Sequence, residues 1–318
     1  MRLVDLTTRQ LLLLTGKGGT GKTSVASALG RLGALSGRRT IIVEVDAQHS
    51  ALSEVFGIAL KHDPTPLAPN LWGANITFGP ALIDWLDQTV QAARVVKLIL
   101  ANQMVQTFLE VTPGAREIVV LSKVVALCEQ FDQVVVDMPA SGHAIGMFKV
   151  PATAERLMRT GPIHDRAEEI IAALRAESTA VALVALPEEM VMNETVELYG
   201  RLKELGLGLH LPFVFLNRCA APTMTDDEHI LLHRLSECVG PDEPADELLL
   251  AGRWDAELER ATSESLGRLH GEIGVGVVPF PRLGALGGFA SGPDKVVEQM
   301  TAALRRRLTV EAQREVVP

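Results

Sequence analysis

The chain has 318 residues, 47% of them hydrophobic and only 4% aromatic, with a formal net charge of −9. That length supports a large buried core, and the acidic balance argues against a general nucleic-acid binder, which would carry a basic face. The N-terminal MRLVDLTTRQ lacks a secretion signal's apolar stretch, no segment is apolar over a bilayer's width, and the three cysteines (Cys128, Cys219, Cys238) are scattered, so a cytoplasmic protein with at most peripheral membrane contact is expected. In chain order, residues 11–14 form a short apolar run suited to a buried parallel strand, and Val25, Leu29 and Leu32 then recur at helical spacing. Further apolar runs at 40–45, 134–136, 180–186, 212–216 and 275–278 are the expected core strands, with 71–78 as a possible addition. Strands alternating with helices predict an α/β fold with a mostly parallel sheet flanked by helices. Two long helical stretches, about 80–128 and about 152–177, interrupt this rhythm as an inserted helical subdomain within a single 1–318 domain, and a final helix is expected at about 292–310. In the first stretch Ile83, Leu86, Val90, Val95 and Leu98 make a rough apolar stripe, which fits equally a helix packed on the sheet and a lobe that moves with nucleotide state.

The most informative residues lie between the first strand and the first long helix: Gly16, Lys17, Gly18, Gly19, Thr20, Gly21, Lys22, Thr23 and Ser24. A glycine, four residues, then Gly-Lys-Thr is the phosphate-loop pattern, and the strand–turn–helix context is the one it requires. Glycines let backbone N–H groups curl around an anion, and the helix that starts at about Lys22 points its positive end at the same place. Lys22 then meets the terminal phosphates of ATP or ADP, and the Thr23 hydroxyl is placed to ligate Mg2+. Lys17 is a second lysine, where an ordinary phosphate loop needs no charge; it is poorly placed for its own loop's phosphates but could reach nucleotide on a facing subunit. The strand at 40–45 runs into Asp46, the candidate for orienting or deprotonating the attacking water and a possible metal contact. His49 follows as a γ-phosphate sensor or a local cap. The strand at 134–136 runs into Asp137, an acid suited to Mg2+ beside Thr23, and Gly142 offers a flexible backbone N–H to the γ-phosphate.

GKGGTGKT resembles the deviant phosphate loop of the dimeric ATPases that include Min and Par proteins, the nitrogenase iron protein and the anion-pump group, and this resemblance implies a nucleotide-sandwich dimer. Across nearly the whole chain, GKGGTGKTS, VEVDAQHSALSEVFG, PGAREIVVLSKVVAL, VVVDMPASGHAIGMFKVP, LPEEMVMNETVELYGRLKELGL, FVFLNR and VVPFPRL resemble, in that order, the arsenical-pump ATPase and Get-type tail-anchored-protein targeting ATPases. The resemblance implies a P-loop NTPase in which Lys17 acts between subunits, Lys22 and Thr23 hold phosphate and Mg2+, and Asp46 positions water. It makes Asp137 the acid of the second strand and assigns Gly142 and His143 to the second switch. Asn217 would meet the adenine edge, with Pro279, Phe280 and Pro281 packed near the base.

Departures from that pattern matter. The first switch reads Asp46-Ala47-Gln48-His49 in place of Asp-Pro-Ala-His, and Met138, Pro139, Ala140 and Ser141 precede Gly142-His143 where Thr-Ala-Pro-Thr is usual. Only Cys219 lies near the place of the Cys-x-x-Cys pair that ties eukaryotic targeting dimers, so no structural zinc is expected. The cysteines are not clustered for metalloid, and Met104 alone in the first helical stretch gives little support to a methionine-rich client groove. The leading expectation is an ATPase, homodimeric or heterodimeric with a related subunit, acting on a hydrophobic protein client and not on nucleic acid. Alternatives are a weakly or non-catalytic partner subunit, motivated by the altered switches, and a Min-type membrane-positioning ATPase. The latter rests on Val296, Val297, Met300, Leu304 and Leu308 beside the arginines 305–307.

Overall fold

A computed structural model describes residues 3–89, 114–239, 245–283 and 292–316. Its centre is an eight-stranded sheet in the order β3-β4-β2-β5-β1-β6-β7-β8. The strands are β1 (Leu11–Thr15), β2 (Thr40–Val45), β3 (Thr65–Ala68), β4 (Leu71–Ile76), β5 (Gln133–Asp137), β6 (Thr179–Ala185), β7 (Phe213–Cys219) and β8 (Gly276–Pro281). All neighbours pair in parallel except the edge pair β3–β4.

The apolar runs read as strands because both sheet faces are covered. In β1, Leu11 and Leu13 enter one core while Leu12 and Leu14 enter the other, so a strand buried on both sides shows no alternation. One face is covered by α4 (Phe78–Thr89), α5 (Ala115–Leu127), α6 (Ser141–Leu157), α7 (Pro162–Arg175) and α8 (Glu189–Glu204). The other is covered by α1 (Leu3–Thr7), α2 (Lys22–Leu35), α3 (Ala51–Phe56) and the C-terminal α11 (Pro293–Val316).

Several expectations are corrected. The stretch 152–177 is not one helix: α6 starts earlier, at Ser141, carries Pro151 within it and ends at Leu157, and α7 starts after Gly161 with Pro162 in its first turn. Gly161 lies at φ 108, a turn that glycine makes without strain. In the stretch 80–128, α4 and α5 pack through Leu82, Leu86, Ile118, Val120 and Val124 into the core of the sheet. Ile83, expected on the same stripe, is 42% exposed, and Val90, Val95, Leu98 and Met104 lie outside the described residues. Edge strand β3 carries Pro66 and alternates in exposure, which suits an antiparallel edge. Helices α9 (Asp226–Cys238) and α10 (Asp246–Arg268) form a hairpin after β7 that the apolar pattern did not announce, because α9 has no buried residue and α10 buries only Thr262 and Ser265.

Candidate functional site

The glycine-rich turn leaves β1 at the middle of the sheet, with β5 on one side and β6 on the other. Two of its glycines are demanded by space as well as by conformation. At Gly16 (φ 147) a Cβ would stand 2.3 Å from the Val184 carbonyl oxygen, and at Gly21 (φ 90) it would stand 2.4 Å from Asn217 Nδ2. The turn is cinched by Thr20 Oγ1 donating to the Lys17 carbonyl at 2.9 Å and by Asn217 Nδ2 donating to the Thr20 carbonyl at 2.9 Å. Gly18 and Gly19 stay exposed at the tip.

Lys22 opens α2, and its ammonium donates to the carbonyls of Gly16 (3.2 Å) and Lys17 (3.0 Å). Burial lowers its pKa, against the opposing pull of Asp137 and Glu194. Thr23 Oγ1 donates to Asp137 Oδ2 at 2.5 Å, which binds the start of α2 to the end of β5. The other carboxyl oxygen, Oδ1, is buried without a partner. Burial raises the Asp137 pKa to about 6, although Thr23 and Lys22 both favour its charged form. A buried acid with an orphaned oxygen beside a threonine hydroxyl is a donor set that fits Mg2+, and a glycine cradle at a helix N-terminus fits phosphate. Lys22, Thr23, Ser24, Asp46 and Asp137 border one cavity of about 500 Å³.

Asp46 lies just past β2 in the left-handed region, φ 54, a conformation that costs a non-glycine residue about 1 kcal/mol. Its Oδ1 accepts the Phe78 N–H at 3.3 Å, and its Oδ2 pairs with the Arg116 guanidinium from the first turn of α5. It also borders a second cavity, shared with Arg116 and Phe78. The neighbouring Glu44 is buried and caps the start of α3, accepting from Ser50 Oγ at 2.5 Å and from the Leu52 N–H at 3.0 Å.

The Lys17 ammonium lies 3.3 Å from Glu194 Oε2 on α8, a carboxylate that also acts electrostatically on Lys22. Gly142 and His143 occupy the exposed first turn of α6, not a free loop. Ser141 N–H bonds the Gly16 carbonyl at 3.2 Å and so joins this turn to the phosphate loop. His49 is exposed just before α3.

On the expected adenine side the structure brings Asn217 to the loop, as above. Phe280, expected beside the base, is 1% exposed and stacks on Phe215 at 5.8 Å, so its ring belongs to the core. Pro279 is half-buried and Pro281 exposed on the same strand. Cys219 is buried, donates to the Leu216 carbonyl, and has its thiol pKa pushed up to about 12 by burial. Glu194 and Arg116 were missed from sequence. Each is one charged residue on a helix, and only the fold brings it to Lys17 or Asp46.

Among the described residues no helix is long and apolar enough to cross a membrane. A family model described as anion-transporting ATPase matches residues 9–174, which carry the glycine-rich turn, Asp46, Asp137 and Arg116. ATPase BagA of Mycobacterium tuberculosis is 29% identical over 215 residues, covering 62% of each chain; the match therefore spans less than two thirds of that relative. The arsenical pump-driving ATPase of Acidiphilium multivorum is 25% identical over 62% of this chain and 37% of its own length. Protein Rv2184c of Mycobacterium tuberculosis is 26% identical over 94% of this chain and 76% of its own. With the fold, the phosphate loop and the matched span in agreement, the chain belongs to the anion-transporting ATPase family.

Proposed function

We propose that this chain is a Mg2+-dependent ATPase that works in the cytoplasm as a nucleotide-sandwich dimer and turns its ATP cycle into a conformational change on a hydrophobic protein client, as Get-type enzymes do. The observation that carries the reading is Asp137, buried against the Thr23 hydroxyl with one oxygen unpartnered, at the mouth of a glycine-built anion cradle.

Backbone amides of residues 16–23 hold the phosphate oxygens, aided by the positive end of α2. The Lys22 ammonium leaves the loop's own carbonyls for the terminal phosphates. Thr23 and Asp137 hold Mg2+, which supplies charge neutralisation on the phosphates. Asp46, at the cavity wall, orients the attacking water, and Lys17 of a second copy faces the developing charge. A preorganised cation of that kind is worth on the order of a thousandfold in rate. Gly142, in the first turn of α6, reads the γ-phosphate and carries its presence into the helices on that face.

A weakly catalytic subunit paired with a related ATPase is the second reading, favoured by Asp46, whose two oxygens are engaged by Arg116 and Phe78 N–H. The Min-type alternative loses its motivating feature: Val297, Met300 and Leu304 are at most 2% exposed in the core beneath α11, so that face is not offered to a bilayer. ATP turnover by the purified chain separates the remaining two. Turnover that disappears in Lys17→Ala and in Lys22→Ala supports the dimeric enzyme. ATP binding without turnover supports the partner subunit.

A further inference from the structure

We propose that Glu194 is the positioning residue for Lys17: it holds the lysine on its own chain and releases it when the second switch moves. The inference rests on the sandwich-dimer reading and adds to it what controls the lysine.

Glu194 lies on α8, close to the start of the helix, and its carboxylate is divided between two elements. Oε1 accepts the Ser141 hydroxyl at 2.5 Å, and Oε2 stands 3.3 Å from Lys17 Nζ. Ser141 is the first residue of α6 and directly precedes Gly142. One carboxylate thus ties the phosphate loop to the segment that meets the γ-phosphate. The Ser141 hydrogen bond, and then Lys17, hold the Glu194 pKa below the usual carboxylate range, so the group is an anion at neutral pH. Lys17, Ser141, Gly142 and Glu194 all border one open cavity of about 450 Å³, which leaves room for a phosphate from outside the chain.

The two loop lysines therefore make different direct contacts, although both feel the Glu194 charge. Lys22 donates to the carbonyls of Gly16 and Lys17, and Lys17 pairs with Glu194. A single ammonium cannot serve Glu194 in its own chain and a phosphate in another at full strength. Both members of the pair are about one-third exposed, 33% and 34%, so the tie is a weak one of the kind that exposed ion pairs make. A weak tie suits a latch. When Gly142 is drawn to a γ-phosphate, Ser141 moves with it, Glu194 loses its fixed orientation, and Lys17 is freed to cross the interface. With ADP the pull is missing and Lys17 stays at home. Glu194 thereby makes dimer closure depend on the third phosphate.

The test is sedimentation velocity of the full chain in Mg2+ with ADP or with ATPγS, comparing wild type, Glu194→Gln, Ser141→Ala and Lys17→Ala. Losing the tie strengthens the ADP-bound dimer up to about fivefold per subunit, and so up to about twenty-fivefold for a symmetric pair. The expected result is that Glu194→Gln dimerises in ADP far better than wild type, that Ser141→Ala moves the same way by less, and that Lys17→Ala dimerises with neither nucleotide. Unchanged dimer constants in Glu194→Gln would overturn the proposal. So would loss of the dimer in that variant, which would place Glu194 across the interface. A wild type that binds both nucleotides yet stays monomeric overturns the dimer itself, an outcome recognised without any variant.

Discussion

Replacing Asp137 with asparagine should make the nucleotide-free chain more stable at neutral pH. The carboxyl is 9% exposed, with Oδ1 unpartnered, and its pKa rises from the ordinary 3.8 to about 6, first through burial. Between those values the native state holds a proton that the unfolded state has released. The free energy of unfolding therefore falls as pH rises through this window. The favourable contribution is complete below about pH 4 and is lost once pH passes about 6. A difference of about two pH units corresponds to about 3 kcal/mol. The asparagine side chain would carry no charge and would still accept the Thr23 hydroxyl, so the variant escapes this loss. The assay is urea unfolding of wild type and Asp137→Asn at about pH 4.5 and about pH 7.5, without Mg2+ or nucleotide. Wild type should lose about 2 kcal/mol more than the variant between the two, since pH 4.5 already lies inside the window, and at the higher pH the variant should melt about 5 °C higher. Equal pH slopes, or a variant less stable than wild type at the higher pH, would contradict a buried acid kept with one oxygen unpartnered, ready for a cation.

Other substitutions probe the cradle and its surroundings. Gly21→Ala places a Cβ 2.4 Å from Asn217 Nδ2 at a φ of 90, so it should cost about 2 kcal/mol in thermal unfolding. Gly18→Ala, where a Cβ meets nothing within 4 Å, should stay within about 0.5 kcal/mol of wild type. Phe280→Ala should cost about 3–5 kcal/mol by denaturant unfolding, because its ring is stacked on Phe215 in the core. A small effect there would contradict that placement of the ring.

The central strands and the phosphate loop were legible in the sequence for a local reason. A parallel strand buried on both faces is a plain apolar run, as in Leu11 to Leu14, and the loop's glycines, Lys22 and Thr23 fall at a fixed spacing within one short segment. What escaped depends on partners far along the chain. Edge strand β3, with Pro66 and alternate exposure, has no apolar run to announce it. The break between α6 and α7 falls at Gly161, while Pro151, the more conspicuous breaker, is carried inside α6. Phe280 reads as a residue beside prolines near a base, and only the packing of β7 on β8 shows its ring turned into the core. Glu194 joins Lys17 across 177 residues of sequence, a separation given by the difference of the two numbers, and no spacing rule reaches that far.

The central claim is that the first turn of the chain cradles a nucleoside triphosphate with Mg2+. Isothermal titration of wild type and Lys22→Ala with ATPγS, with and without Mg2+, measures it directly. Saturable uptake by wild type that is strengthened by Mg2+ and weakened about tenfold to a hundredfold in Lys22→Ala is the predicted result, in keeping with the loss of a charged hydrogen-bonding group. No heat of binding in wild type, or equal affinity in the variant, would contradict it.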